Sequence, residues 1–223
     1  GDSRLAARCF RLAASQARPD GLIPAAIPCG ILPGHTDLET ERLLTLLAGN
    51  LCLPLMLEEY LLYSGETKLV SEIGGTVAGI VDAFSLWEDD DGLIEPPADY
   101  WNFVDWSFEF RPADSLSGHN TAVLNWLYVL ALDAGARLAD GTGDSKRAES
   151  WRKKAEGVAL AIDRRFWSEE RRCYVEWLDQ GRPGPLASQV SQALALLSGR
   201  APTLRTRELR LALTREDLLA PEL

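Results

Sequence analysis

Carboxylates and aromatic rings are interleaved over residues 89–106. The acids are Asp89, Asp90, Asp91, Glu95, Asp99 and Asp105, and the rings are Tyr100, Trp101, Phe103 and Trp106. A carbohydrate site uses this combination, because flat rings stack on the apolar faces of a sugar while carboxylates hold hydroxyl groups or transfer protons. A second interpretation stays open from these residues alone, in which the rings pack the loop onto the protein and the acids are solvated. The three consecutive acids before Gly92 are typical of a turn.

Both histidines, His35 and His119, fall at the ends of long loops and directly before predicted helices. A helix N-terminus favours the neutral imidazole, which can donate and accept hydrogen bonds in a polar pocket. With Asp37 they are candidate substrate-binding residues, although each histidine also suits a role in capping or loop packing. The sequence has no Ser/His/Asp spacing, glycine-rich phosphate loop or zinc-ligand spacing, which disfavours nucleophilic, nucleotide-dependent and zinc chemistry.

Helices of two kinds must position these residues. Apolar residues recur at the helical period in two segments and predict amphipathic outer helices: Leu69, Ile73, Val77, Ile80 and Phe84 in one, and Ala148, Trp151, Ala155, Val158, Ile162 and Phe166 in the other. Residues 43–62 and 122–134 are apolar on nearly all sides, which is typical of inner helices buried between neighbours. Residues 189–197 are a shorter candidate of the same kind. Outer and inner helices therefore alternate.

The connections between these helices also alternate. Tight turns at residues 64–66 and 140–144 lead from an inner helix to the next outer one, whereas long connections at 18–36, 88–120 and 167–187 lead back. The phrase Asp20-Gly21-Leu22-Ile23 returns 71 residues later as Asp91-Gly92-Leu93-Ile94, which suggests repeated helical hairpins. In an up-and-down arrangement all long connections share the face at the N-termini of the inner helices, and we expect function there.

Charge and composition exclude several classes of partner. The formal net charge of −10 repels phosphate groups, so we expect neither a nucleic acid nor an anionic membrane as a partner. Interruptions at Asn50, Pro54 and Glu58 leave no apolar run of the roughly 18 residues that a membrane span needs. The four cysteines form no metal-ligand spacing, and we expect buried free thiols, no cofactor and a cytoplasmic location. They are Cys9, Cys29, Cys52 and Cys173.

An ordered series of phrases resembles the six-hairpin catalytic barrel of glycoside hydrolase family 78, the α-L-rhamnosidases. The phrases are Arg18-Pro19-Asp20-Gly21-Leu22-Ile23-Pro24, Glu59-Tyr60-Leu61-Leu62-Tyr63-Ser64-Gly65, Trp101-Asn102-Phe103-Val104-Asp105-Trp106, Leu124-Asn125-Trp126-Leu127-Tyr128, Arg165-Phe166-Trp167-Ser168-Glu169-Glu170 followed by Tyr174, and Ser188-Gln189. The resemblance spans nearly the whole chain, and its specificity lies in the order of the series.

The resemblance implies an inverting hydrolase that removes terminal α-L-rhamnose, with a general acid and a general base separated by a water. In the family the general acid belongs to an Asp…Arg-Glu-Arg…Trp…Asp stretch before the part that matches Gly1, and the base belongs to a segment beyond Leu223. We therefore expect both catalytic residues outside this chain. Asp105 and Trp106 resemble the family's Asp-Trp pair over the sugar pocket, where the tryptophan lines the rhamnose site. The chain departs from related barrels around His35 and Asp37, where His35 either replaces the usual contact or marks a changed pocket.

The expected fold is all-α: one incomplete (α/α)6 toroid over residues 1–223, with hairpins near 1–64, 65–141 and 142–200 and a trailing outer helix at 203–220. The expected substrate-binding residues are Asp105, Trp106, Trp101, His35, Asp37 and His119, with a carbohydrate as the partner. The isolated chain is expected to be inactive and to self-associate through open barrel ends. The alternative is a non-catalytic helical module that binds a sugar or a protein. A magnesium-dependent terpenoid toroid using residues 89–91 is disfavoured, because no second metal motif accompanies them.

Overall fold

The computed structural model describes residues 3–26, 45–97, 100, 121–179 and 182–220. Within them the helices are α1 (Ser3–Ser15), α2 (Leu47–Ser64), α3 (Thr67–Ser85), α4 (Ala122–Gly141), α5 (Ser145–Phe166), α6 (Gln189–Ser198) and α7 (Thr206–Ala212), with a 3₁₀ turn at Thr203–Arg205. The short strands β1 (Trp167–Ser168) and β2 (Cys173–Tyr174) pair antiparallel, as do β3 (Leu178–Asp179) and β4 (Arg182–Pro183). The fold is all-α and has the alternating outer and inner helices of an (α/α) toroid.

Helix α4 is the central inner helix, and it packs along α5 and against α2 and α6. Its large side chains Trp126 and Tyr128 have no exposed surface. By length and hydropathy α4 could also cross a membrane, which the sequence expectation had missed, but 78% of its apolar window is buried inside the protein. Core packing therefore accounts for its apolar character.

The apolar stripes predicted for the two outer helices are buried, as expected. Every predicted stripe residue of α3 and α5 belongs to the core. At the crossing of α5 over α4, a Cβ on Gly135 would lie 2.9 Å from the ring of Trp151. Glycine at that position thus lets the indole lie directly on the inner helix.

Helices α2 and α6 are only partly covered, although their sequences predict inner helices. On α2, Met56, Leu62 and Tyr63 are 57%, 72% and 89% exposed, and on α6 Leu197 is 72% exposed. Both helices pack against α4, so each buries the side that faces it. The result is an apolar edge at each end of the described helical array.

Two further expectations need correction. The trailing helix is shorter than residues 203–220 and ends at Ala212. The backbone of Leu219 instead pairs with Ala187 and with Gln189 at the start of α6 (N···O 3.0 and 2.8 Å). The described cysteines Cys9, Cys52 and Cys173 are free, but only Cys173 is buried, since Cys52 is partly buried and Cys9 is exposed on α1. Cys29 lies outside the described residues.

Candidate functional site

The inner helices α2, α4 and α6 each carry an amide side chain at their fourth residue, namely Asn50, Asn125 and Gln192. Each amide forms hydrogen bonds with both the backbone N–H and the backbone C=O of one residue in the long connection that precedes its helix. We call these three arrangements the amide clamps. They fix the long connections beside the N-termini of the inner helices, on the face where the sequence predicts function.

The three clamps have the same hydrogen-bond pattern. Asn50 Oδ1 accepts from the Ile23 N–H (2.8 Å) and its Nδ2 donates to the Ile23 carbonyl (3.0 Å). Asn125 holds Ile94 in the same way (2.7 and 3.4 Å), and Gln192 holds Tyr174 (2.9 and 2.9 Å). Each amide nitrogen also donates to the carbonyl four residues earlier, at the N-cap of its own helix. A buried backbone N–H and C=O are thereby satisfied together.

A residue with positive φ stands two positions before each clamped residue. These are Gly21 (φ 88°), Gly92 (φ 81°) and Arg172 (φ 56°). The first two belong to the repeated phrase found in the sequence, whereas the third copy has arginine where glycine is favoured. Sequence reasoning missed this third copy and all three clamping amides. The signal that could have found them is an Asn or Gln at the fourth position of each inner helix.

Asp20 links the first two long connections. Its Oδ2 accepts from the Tyr100 hydroxyl (3.0 Å) and forms an ion pair with Arg18, while Oδ1 accepts from the Leu22 N–H (3.1 Å). Arg18 also donates to the buried Thr45 hydroxyl (2.7 Å) just before α2. Asp20 thus contacts Tyr100 of the second connection directly. Its partner Arg18 contacts Thr45 at the other end of the first connection.

Among the acids at residues 89–91, Asp89 and Asp91 stabilise a turn. Asp89 Oδ1 accepts from the N–H groups of Asp91 and Leu93, both at 2.9 Å, and Asp91 pairs with Arg164 and Arg165 on α5. These arginines hold the pKa of the Asp91 carboxyl below its usual value, chiefly through the hydrogen bond from Arg165. In the parts of the chain that the structure describes, no group of three His, Cys, Asp or Glu is placed to hold a metal.

A partly buried polar cluster anchors the start of the same connection. Glu88 Oε1 accepts from Lys154 Nζ (2.6 Å) on α5 and from the Tyr128 hydroxyl (2.8 Å) on α4. Ser85 Oγ lies 3.1 Å from both of these donors. Burial raises the pKa of Tyr128, so its hydroxyl stays protonated and remains a donor. The cluster ties the end of α3 to α4 and α5.

Glu176 is a fully buried carboxylate between the N-termini of α4 and α6. Its Oε1 accepts from the N–H (3.0 Å) and hydroxyl (2.5 Å) of Ser188, and Oε2 from the Ser191 hydroxyl (2.9 Å). Burial raises the pKa of this carboxyl to about 6 despite these donors. With no exposed surface, Glu176 shapes the third connection and is not placed to touch a substrate.

The predicted substrate-binding residues Asp105, Trp106, Trp101, His35, Asp37 and His119 lie outside the residues that the structure describes. Of the other loop carboxylates, Glu95 is described and is exposed next to the clamped Ile94. The structure therefore describes the framework of the candidate site: the clamps, the Asp20 link and the Glu88 cluster. The substrate-binding roles of the six predicted side chains remain predictions.

Comparisons with solved structures find the same fold. The chain is similar to a GH78 family rhamnosidase of Bacillus sp. GL1 (TM-score 0.80, 21% identity, 99% of this chain and 22% of that one). It is similar to a rhamnosidase from Klebsiella oxytoca with rhamnose bound (TM-score 0.76, 21% identity, 98% and 39%). A third match is an α-L-rhamnosidase from Dictyoglumus thermophilum (TM-score 0.68, 14% identity, 95% and 22%).

The chain thus spans between about a fifth and two fifths of the length of these solved proteins. No curated protein sequence matches it. The family model described as the bacterial α-L-rhamnosidase six-hairpin glycosidase domain matches residues 1–216. This chain therefore belongs to the bacterial α-L-rhamnosidase six-hairpin glycosidase family.

Proposed function

We propose that this chain forms part of the substrate-facing barrel of an inverting glycoside hydrolase that removes terminal α-L-rhamnose from glycosides. The observation that carries the proposal is the family match over residues 1–216. A solved relative of the same fold contains bound rhamnose. The general acid and base lie outside this chain, so the isolated chain is inactive.

In this proposal the face at the N-termini of the inner helices receives the sugar. Trp106 and Trp101 stack on its apolar face, while Asp105, Asp37, His35 and His119 bind its hydroxyl groups. The amide clamps hold one residue of each long connection at the N-terminal end of the inner helix that follows it. Such a framework holds the sugar between an acid on one side and a water-activating base on the other.

The test is hydrolysis of 4-nitrophenyl α-L-rhamnoside by the full-length gene product and by this chain alone. We expect release of 4-nitrophenol by the full-length protein only. Proton NMR of the first turnovers should show the β anomer of rhamnose, because inversion changes the configuration once. Initial α-rhamnose would overturn the inverting mechanism. Activity in the isolated chain would place the acid and base within it, and no activity in either protein would overturn the substrate.

The isolated chain is also proposed to self-associate through its apolar edge between α1 and α2. A cavity of about 450 Å³ there is lined by Phe10, Leu53 and Met56 among others, and Leu5 on α1 is 70% exposed. An apolar groove of this kind binds a complementary apolar surface. Light scattering should give a mass above 24.5 kDa that falls for Met56→Glu but not for Lys153→Glu on the exposed face of α5. A monomer at all concentrations would contradict this.

A further inference from the structure

We infer that Trp177 is a specificity-determining residue, which binds an aromatic aglycone of the rhamnoside substrate. The inference rests on the proposed function, because the aglycone is the part of the glycoside that leaves when the sugar is released. The surface that carries Trp177 is formed by side chains within the described part of the chain.

Trp177 lies on the face at the N-termini of the inner helices. The carbonyl of Glu176, its neighbour in the chain, accepts from the Ala122 N–H at the start of α4 (2.9 Å). The carboxylate of Glu176 accepts from the Ser188 N–H directly before α6 (3.0 Å). These two contacts hold the backbone before Trp177 between the first turns of α4 and α6. This is the face that the proposed function assigns to the substrate.

The pyrrole edge of the Trp177 indole lies against Gly184. The Gly184 N–H donates to the Trp177 carbonyl (3.0 Å), beside the paired strands β3 and β4. A Cβ on Gly184 would lie 3.1 Å from Trp177 Nε1 and 3.2 Å from Cδ1, so glycine lets the indole lie directly on this segment. The ring is thus positioned before a ligand arrives, which lowers the entropic cost of binding.

Trp177 belongs to an apolar patch, which we call the tryptophan patch. Its other members come from the first two turns of α4 and α6 and from the segment after α7. The patch consists of Trp177, Val123, Leu127, Val190, Leu194 and Leu219. Val123 is buried, whereas the other five side chains are partly exposed. An apolar surface of this kind, with an aromatic ring and access to solvent, is typical of a ligand contact.

The chemistry of the tryptophan patch favours an aromatic ring over a sugar. Sugar hydroxyl groups need polar partners, and the side chains packed with Trp177 in this patch are all aliphatic. The adjacent carboxylate of Glu176 has no exposed surface and accepts from Ser188 and Ser191. An aromatic ring, by contrast, needs only a stacked or edge-on contact with the indole. The aglycone is the part of a glycoside that can supply such a ring.

The decisive experiment compares an aryl with an alkyl glycoside in the full-length gene product. Trp177→Leu removes the ring and keeps an apolar side chain in the patch. It should lower kcat/KM for 4-nitrophenyl α-L-rhamnoside about 3- to 10-fold, as loss of one aromatic contact gives. For methyl α-L-rhamnoside kcat/KM should change less than twofold. Trp177→Phe, which keeps a ring, should fall between the parent and Trp177→Leu with the aryl substrate.

Leu160→Ala is the control, since Leu160 is 57% exposed on the outer helix α5. It should leave kcat/KM unchanged for both glycosides. Equal losses with the aryl and the alkyl glycoside in Trp177→Leu would mean that Trp177 contacts the sugar or only supports the fold, and would overturn the inference.

A second measurement does not depend on hydrolysis. Saturation-transfer NMR should detect binding of 4-nitrophenol to the parent protein and to Leu160→Ala, with a weaker signal for Trp177→Leu. If the parent hydrolyses neither rhamnoside, the proposed function fails and the 4-nitrophenol signal still tests the role of Trp177. Equal signals from the parent and Trp177→Leu would overturn the inference. A lower melting temperature with both signals and rates unchanged would mean that Trp177 only packs against the rest of the barrel, which would overturn it as well.

Discussion

The side-chain amide of Asn125 holds both backbone groups of Ile94, which lies 31 residues earlier in the chain. The contact sits at the N-terminal end of α4, where Asn125 also donates to the Thr121 carbonyl (2.9 Å). Both Asn125 and Ile94 have no exposed surface. The paired groups are therefore shielded from bulk solvent, and the clamp carries an energetic weight that a surface hydrogen bond lacks.

Asn125→Ala should therefore destabilise the chain strongly. The variant leaves the N–H and C=O of Ile94 buried without a partner, which costs about 3 kcal/mol of the free energy of unfolding. Urea unfolding followed by circular dichroism measures this loss. Lys153→Ala, at an exposed helical site on α5, should change the free energy by less than about 0.5 kcal/mol. Equal stabilities of the two variants would mean that the clamp is not needed.

A matched pair of glycines tests the geometry of the repeated turn. Gly21 and Gly92 have similar positive φ values, 88° and 81°. A Cβ on Gly21 would lie 2.8 Å from the carbonyl carbon of Gly79 on α3, whereas a Cβ on Gly92 meets nothing within 4 Å. Gly92→Ala should thus cost only the backbone strain of about 1 kcal/mol, and Gly21→Ala should cost at least about 2 kcal/mol more through overpacking. Thermal unfolding of both variants checks the order, and equal losses would contradict it.

The third copy of the turn offers a stabilising substitution. Arg172 has φ 56°, a conformation that costs a residue with a Cβ about 1 kcal/mol relative to glycine. Its side chain is 55% exposed and pairs with Glu208 (2.8 Å) and Glu169 (3.4 Å), so truncation loses two pairs of little energetic value. The informative comparison is Arg172→Gly against Arg172→Ala, since both variants lose these pairs. The glycine variant should have the larger free energy of unfolding, and a larger value for the alanine variant would contradict the strain argument.

The sequence predicts the alternation of helices well, because burial of α3, α4 and α5 follows their apolar periods. It predicts the framework of the site less well. Two copies of the turn are visible through Gly21 and Gly92, but the third is hidden because Arg172 replaces glycine. The clamping amides are also hidden. Asn50, Asn125 and Gln192 are separated by unequal intervals, and each partner lies in a connection whose path only tertiary packing determines.

The alternation around Glu176 illustrates the same limit. An acid that alternates with apolar residues is typical of a strand with one exposed face, yet Cys173, Tyr174, Val175 and Glu176 are all fully buried. Glu176 tolerates burial because Ser188 and Ser191, at the start of α6, supply donors. Such compensation depends on where α6 begins relative to β2, which no local pattern encodes.

Trp106 is the predicted stacking platform of the sugar pocket. In the full-length gene product, Trp106→Ala should weaken rhamnose binding by about 1 to 3 kcal/mol, the range for a lost aromatic contact and its burial. Isothermal titration calorimetry measures the affinity. Tyr63→Ala removes an aromatic side chain that is 89% exposed on α2 and should leave the affinity unchanged. If Trp106→Ala binds rhamnose as the parent does, Trp106 does not stack on the sugar.

The carboxyl of Glu176 should make stability depend on pH. Burial raises its pKa from the ordinary value of 4.5 to about 6, so the folded chain binds the proton more tightly than the unfolded chain does. The resulting stabilisation is complete below pH 4.5 and is lost as pH rises through about 6. A shift of this size corresponds to about 2 kcal/mol.

Glu176→Gln removes this titration, so urea unfolding of the parent and the variant between pH 4 and 7 isolates it. The free energy of unfolding of the parent minus that of the variant should fall by about 2 kcal/mol over this range. Glu149→Gln removes a carboxyl at an exposed position on α5 and is the matched control. A constant difference for Glu176→Gln would mean that the pKa of this carboxyl is the same in the folded and the unfolded chain, with its three donors from Ser188 and Ser191 balancing the cost of burial.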